Sequence, residues 1–113
     1  MATYRQAHLA RLLESKFGTL GKVAGRYVTA GLHVTLRLPT RLGPVDIFAQ
    51  GAGQKLAIEV LEKSEGAREK AEQLVKKAEL LKAKPVLVLY GDCKVNLSEL
   101  AGLGVKVKRV PKR

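Results

Sequence analysis

Gly43-Pro44-Val45-Asp46-Ile47-Phe48-Ala49, followed after a short turn by Leu56-Ala57-Ile58-Glu59-Val60-Leu61, is the stretch whose reading decides the fold. Both halves alternate apolar and polar residues with period two, and Gly51-Ala52-Gly53-Gln54 between them is turn chemistry, so the stretch reads as a β-hairpin. With the turn centred between Ala52 and Gly53, Asp46 and Glu59 are equidistant from the centre and face each other. Such partners share one face of an antiparallel pair with Cβ atoms ~4.5–5.5 Å apart. Val45, Ile47, Leu56, Ile58 and Val60 are expected on the opposite, apolar face. Two carboxylates this close repel by roughly 3 kcal/mol at an effective dielectric of 20, so the pairing calls for a cation between them. A hard divalent ion such as Mg²⁺, bound by one or two carboxylates plus water and phosphate, answers that demand. A neighbouring Lys or Arg answers it equally well.

The chemistry outside the hairpin narrows the partner. The chain has 113 residues, with 21 Lys and Arg against 10 Asp and Glu, a formal net charge of +11. A polyanion is the natural partner of such a surface, and nucleic acid is the expected one. At 46% hydrophobic and 27% charged, the composition is that of a globular domain, read as one unit over residues 1–113. No apolar run approaches the ~18–20 residues of a spanning helix, and the amphipathic Tyr4-Arg5-Gln6-Ala7-His8 is unlike a signal peptide. A single Cys93 and two distant histidines, His8 and His33, exclude a disulfide framework and argue against structural zinc. A cytoplasmic, nucleoid-associated protein is the expectation from these features.

Residues 3–16 carry apolar positions at helical spacing, with Thr3 as N-cap. Gly18, Gly21 and Gly25 then read as a flexible connection. Arg26–Leu38 turns to period two, with Leu32, Val34, Leu36 and Leu38 on one face and Gly31 marking a bulge or bend. After the hairpin, Ser64 is a candidate cap for a helix whose Ala67, Ala71, Leu74, Ala78 and Leu81 form one apolar stripe. The charged remainder of that helix reads as solvated surface with i,i+4 pairs such as Glu72–Lys76. Pro85–Tyr90 is an apolar run suited to a strand buried on both faces. Asn96 and Glu99 resemble a capping box opening a short helix. A last strand around Val105 and Val107 precedes the basic tail Pro111-Lys112-Arg113. The predicted order is α-β-β-β-α-β-α-β, an α/β domain with a mixed central sheet flanked by helices.

On these residues the chain resembles the PD-(D/E)xK nuclease superfamily, and within it the archaeal Holliday-junction resolvases. Gly43–Ala49 is similar to the motif around the first metal-binding Asp, Ala57-Ile58-Glu59-Val60 to the strand bearing the second acid, and Gln73-Leu74 to a recurring Gln in the next helix. Lys22-Val23-Ala24-Gly25-Arg26 is similar to a basic, glycine-bearing loop that touches DNA. The resemblance implies a restriction-endonuclease-like core, Mg²⁺ held by Asp46 and Glu59, and Gln73 as part of the site. It implies branched DNA as substrate, a role in repair or recombination with a possible repair or replication partner, and a two-fold dimer in which Leu80 is a candidate interface residue. An archaeal, thermophilic source would match it.

Two positions depart from the family. Its lysine falls at Leu61, and its early acid in the first helix falls at Gln6. Lys63, on the same face about 6.6 Å further along the strand, and Lys70 in the next helix are the candidate replacements for the lysine. The expected phosphate contacts are Lys22, Arg26, Arg37, Lys63, Arg68 and Lys70, arranged around the acidic hairpin. The expectation is a nucleic-acid-binding protein of nuclease-like fold with impaired or absent cleavage. An active Mg²⁺-dependent structure-specific endonuclease is the alternative, and a non-catalytic protein-interaction subunit a third reading.

Overall fold

The structure, a computed structural model, describes residues 4–63, 65–91 and 93–111. Thr3, Ser64, Lys112 and Arg113, read above as caps and tail, lie outside the described residues. Helices α1 (Tyr4–Phe17) and α2 (Thr19–Thr29) lead into strands β1 (His33–Leu38), β2 (Val45–Gly51) and β3 (Gln54–Leu61). Helix α3 (Ala67–Leu81), strand β4 (Lys84–Tyr90), the short helix α4 (Leu97–Leu100) and strand β5 (Lys106–Val110) follow. The five strands run in the order β1-β2-β3-β4-β5, antiparallel across β1-β2-β3 and parallel across β3-β4-β5. This is the expected mixed sheet with flanking helices.

The hairpin register is the expected one: Ile47 pairs with Ile58 and Gly51 with Gln54. Ala52 and Gly53 both take positive φ, 51° and 77°, the conformation of a two-residue type I′ turn whose twist matches that of the strands.

Alternation divides the sheet into two faces. Ile47, Ala49, Ile58, Val60, Val86 and Val88 pack under α2 against Val23 and Ala24. Ala57, Leu61, Leu87 and Leu89 pack under α3 against Ala67, Ala71, Leu74 and Ala78. The α3 stripe is therefore the buried one its spacing predicts. Val45, expected with Ile47, instead joins the α3 cluster. At the start of β2 it lies next to the loop that α3 covers, and it fills that end of the core.

The segment read as a flexible connection is α2. Its glycines are contact surfaces rather than breakers: a Cβ on Gly21 would lie 1.8 Å from the Leu13 carbonyl oxygen, and one on Gly25 would lie 3.1 Å from the Ala10 Cβ. Two bare positions four apart form a flat stripe against which α1 docks at backbone distance. Gly31 is likewise a helix terminator and not a bulge. Its φ is 94°, its N–H donates to Val28 and that of Leu32 donates to Tyr27, the paired bonds of a Schellman cap. The first strand consequently starts at His33 rather than Arg26.

At the far end, Asn96 Oδ1 accepts the Ser98 N–H at 3.1 Å and opens α4. On α3, Glu72 pairs backwards with Arg68 at 3.1 Å, not forwards with Lys76.

Candidate functional site: an acid pair faced by two lysines

Where β2 and β3 run beneath α3, an open cleft of about 570 Å³ is lined by Pro44, Asp46, Glu59, Lys70, Gln73 and Lys77, with Glu69 and Glu72 at its rim. Asp46 and Glu59 reach it because the period-two alternation turns both toward α3. The three α3 residues reach it because positions 70, 73 and 77 recur at i, i+3 and i+7, one stripe beside the apolar one.

Each acid has its own partners. Asp46 Oδ2 accepts the Val60 N–H at 3.0 Å, which ties the two strands at the site, and the Lys70 ammonium stands 3.9 Å away. Lys70 also donates to the Val60 carbonyl at 2.9 Å. Glu59 is only 3% exposed, and Lys77 Nζ donates to its Oε1 at 3.2 Å and to the Pro44 carbonyl at 2.9 Å. Burial, first, and then the hydrogen bond and charge of Asp46 push the Glu59 carboxyl from 4.5 up to about 7, against the opposing pull of Lys77. The pair thus holds a proton close to neutral pH, an arrangement two adjacent carboxylates adopt when they cannot both ionise.

The residues expected at the site divide. Asp46, Glu59, Gln73 and Lys70 converge in the cleft. Lys63 is exposed beyond the end of β3 and is not among the lining residues. Gln6 lies beside Gly31 at the other end of the strands, its Nε2 4.0 Å from where a Cβ there would stand. Leu61 is 6% exposed in the core beneath α3, so the motif position is occupied by packing.

The expected ring of phosphate contacts does not form. Lys70 lines the cleft and Arg68 is paired beside it, but Lys22 and Arg26 belong to α2, which covers the opposite face. Arg37 is exposed on β1 with a φ of 51°. Lys77 is a cleft residue that the sequence alone does not single out. Its signal was the i, i+3, i+7 relation to Lys70 and Gln73, which the reading of that face as solvated surface obscured.

For a divalent cation, the site supplies the oxygens of Asp46 and Glu59 and the Val60 carbonyl. The described residues contain no group of three or more His, Cys, Asp or Glu side chains able to hold a metal. Lys70 is hydrogen-bonded to one of the available oxygens, and Glu59 carries a proton near neutrality. The donor chemistry fits a hard cation, provided the Lys70 ammonium moves aside and Glu59 ionises.

Among the described residues no helix is long and apolar enough to cross a membrane. No family model and no curated protein matches the chain. A solved structure of Pyrococcus furiosus SfsA in complex with Ca²⁺ resembles it, with a TM-score of 0.56 at 15% identity. That alignment covers 89% of this chain and 57% of the SfsA chain, so this chain spans little more than half of its structural neighbour. At that identity the likeness is one of fold: the mixed sheet and flanking helices described above are an architecture shared with SfsA.

Proposed function

We propose that this chain is a nucleic-acid-binding protein with a nuclease-like fold whose cleft has lost most of its cleaving capacity. The observation that carries the reading is the pairing of both acids with lysines of the same chain, Asp46 with Lys70 and Glu59 with Lys77. The cation that the acid pair requires is thus supplied by α3. The position where a strand lysine would act is filled by the buried Leu61. The net charge of +11 supports a polyanionic partner.

A second reading follows from Lys70. Its ammonium lies 2.9 Å from the Val60 carbonyl and 3.9 Å from Asp46, so it reaches the acid pair as Lys63 does not. In this reading Lys70 replaces the absent lysine, and Asp46, Glu59 and the Val60 carbonyl hold Mg²⁺. The metal would polarise a phosphoryl oxygen and lower the pKa of a water. Asp46 would remain fixed by the Val60 N–H, and Glu59 would have to give up its proton. The Ca²⁺ recorded for SfsA is consistent with a divalent ion in such a fold. Branched DNA as the preferred partner and a two-fold dimer belong to this proposal as well. Leu80, 36% exposed on α3, remains the candidate interface residue.

The test is fluorescence anisotropy with junction, flap and single-stranded DNA across a salt series, followed by incubation with Mg²⁺ or Mn²⁺. Binding that weakens steeply with salt, without cleavage, is the expected result. Cleavage abolished by Asp46→Ala would establish the second reading, and no binding at low salt would end both.

A further inference from the structure

On the face of the sheet opposite the acid cleft, α2 lies over β1 and β2 and packs against the middle of β3 and β4, leaving the N-terminal ends of β4 and β5 open. A groove of about 480 Å³ remains there, with Leu32, Leu56 and Val86 among its floor residues, Tyr27 on its α2 wall, and Lys84, Lys106 and Lys108 around it. None of its lining residues is acidic.

The convergence of the three lysines follows from strand register. Val86 pairs with Lys106 and Val88 with Lys108, so these side chains share the α2 face of the sheet, and Lys84 shares it by alternation. All three are exposed. Two residues along a strand separate Lys106 and Lys108 by about 6.6 Å, comparable to the step between phosphates of an extended strand. Lys108 sits 6.0 Å from the centre of the half-buried Tyr27 ring, and Lys22 sits 5.6 Å from that of Tyr90 further along the same seam. The seam between α2 and β4–β5 thus alternates cations with aromatic rings.

We infer that this groove binds a single-stranded segment of nucleic acid, with phosphates on Lys84, Lys106 and Lys108 and a base or sugar against Tyr27 and the apolar floor. A basic edge strand alone would serve to prevent edge-to-edge association. Such a guard needs neither a concavity nor an aromatic wall, whereas a strand-binding groove uses both, the ring taking a base face and the ammoniums following the backbone. The concavity has room for a nucleoside or two and not for the breadth of a duplex. The charge is unopposed here, whereas the lysines of the acid cleft are engaged with carboxylates.

The inference rests on the proposal that the chain binds nucleic acid, and the experiment separates the two. Anisotropy of a labelled oligothymidylate would be measured with wild type, with a Lys84→Glu/Lys106→Glu/Lys108→Glu variant, and with a charge-matched Lys16→Glu/Lys55→Glu/Lys76→Glu variant. A third variant, Tyr27→Leu, probes the ring. The groove reversal is expected to weaken binding at least about 30-fold and to reduce the salt slope by about 2, the release expected for three contacts on a single strand. The charge-matched variant should change affinity by less than about threefold, and Tyr27→Leu should weaken it about tenfold. Thermal melts of all variants confirm that each is folded. Equal losses in the two triple variants, or none in either, would overturn the groove. Binding that survives groove reversal but disappears in Lys70→Ala/Lys77→Met would overturn it too, while leaving the proposed function standing. If wild type binds no oligothymidylate at low salt, the groove is overturned, while the proposed function is decided separately by binding to junction and flap DNA.

Discussion

The two faces of one sheet handle charge in opposite ways. Under α3, charge is matched group by group: Asp46 faces Lys70, Glu59 faces Lys77, and Arg68 holds Glu72. Beside α2, the groove at β4–β5 gathers three lysines and no acid. A net charge of +11 is therefore not spread evenly. The face whose residues resemble a nuclease site is the one where lysines meet carboxylates, and a groove lined by lysines without an acid lies on the other side of the sheet. Resemblance and electrostatics point to different surfaces of the same small protein.

The largest expected effect tests whether the two faces are separable. Gly21→Ala forces a methyl onto the Leu13 carbonyl, where 1.8 Å is available, and should cost about 3 kcal/mol by displacing α1 from α2. Denaturant melts measure the loss. The acid cleft, built from β2, β3 and α3, should keep its Glu59 titration, read by carboxyl NMR in the variant.

Next in size is Lys77→Met. It leaves a buried carboxylate without its cation, but Glu59 already titrates at about 7 and can escape the cost by keeping its proton. The expected destabilisation is therefore about 2 kcal/mol at pH 8 and slight at pH 5. A pH-independent loss would mean that Lys77 contributes through packing alone.

The titration of Glu59 predicts a slope of its own. Its folded pKa is raised from 4.5 to about 7, so the folded state binds the proton more tightly than the unfolded chain. The resulting stabilisation is fully present below about 4.5 and is lost as pH rises through about 7. Thermal melts of wild type should fall across that window, and Glu59→Gln should flatten the decline. An unchanged decline would place the titrating group elsewhere.

The smallest effect concerns the turn that joins the two acid-bearing strands. Ala52 holds a φ of 51°, which costs an alanine roughly 1 kcal/mol, while asparagine is at home there. Ala52→Asn should stabilise the protein by about 0.5–1 kcal/mol without altering either face. A melting temperature that does not rise would argue against the type I′ turn.

Much of this architecture was legible before any coordinates. Two short alternating strands around a Gly-rich turn have essentially one register that buries their apolar residues, and that register puts Asp46 opposite Glu59. The α3 stripe and the apolar β4 run are equally local signals. The glycines of α2 misled because glycine is read locally as a breaker, whereas here Gly21 and Gly25 are selected by a neighbouring helix at backbone distance. Lys77 is not legible in the sequence, because an interior lysine of a charged helix face resembles any solvated lysine until the face it meets is known.

Local periodicity and turn chemistry thus determined the strands, the hairpin register and the presence of two facing acids, because each depends on residues only a few positions apart. Tertiary structure alone decided what those acids face. The docking of α3 brings Lys70 and Lys77 across from acids more than ten residues away, and the path of α2 leaves the lysines of β4 and β5 exposed beside Tyr27. Which charges meet a partner and which remain open is set by helix placement over the sheet, a property that no short window of sequence contains.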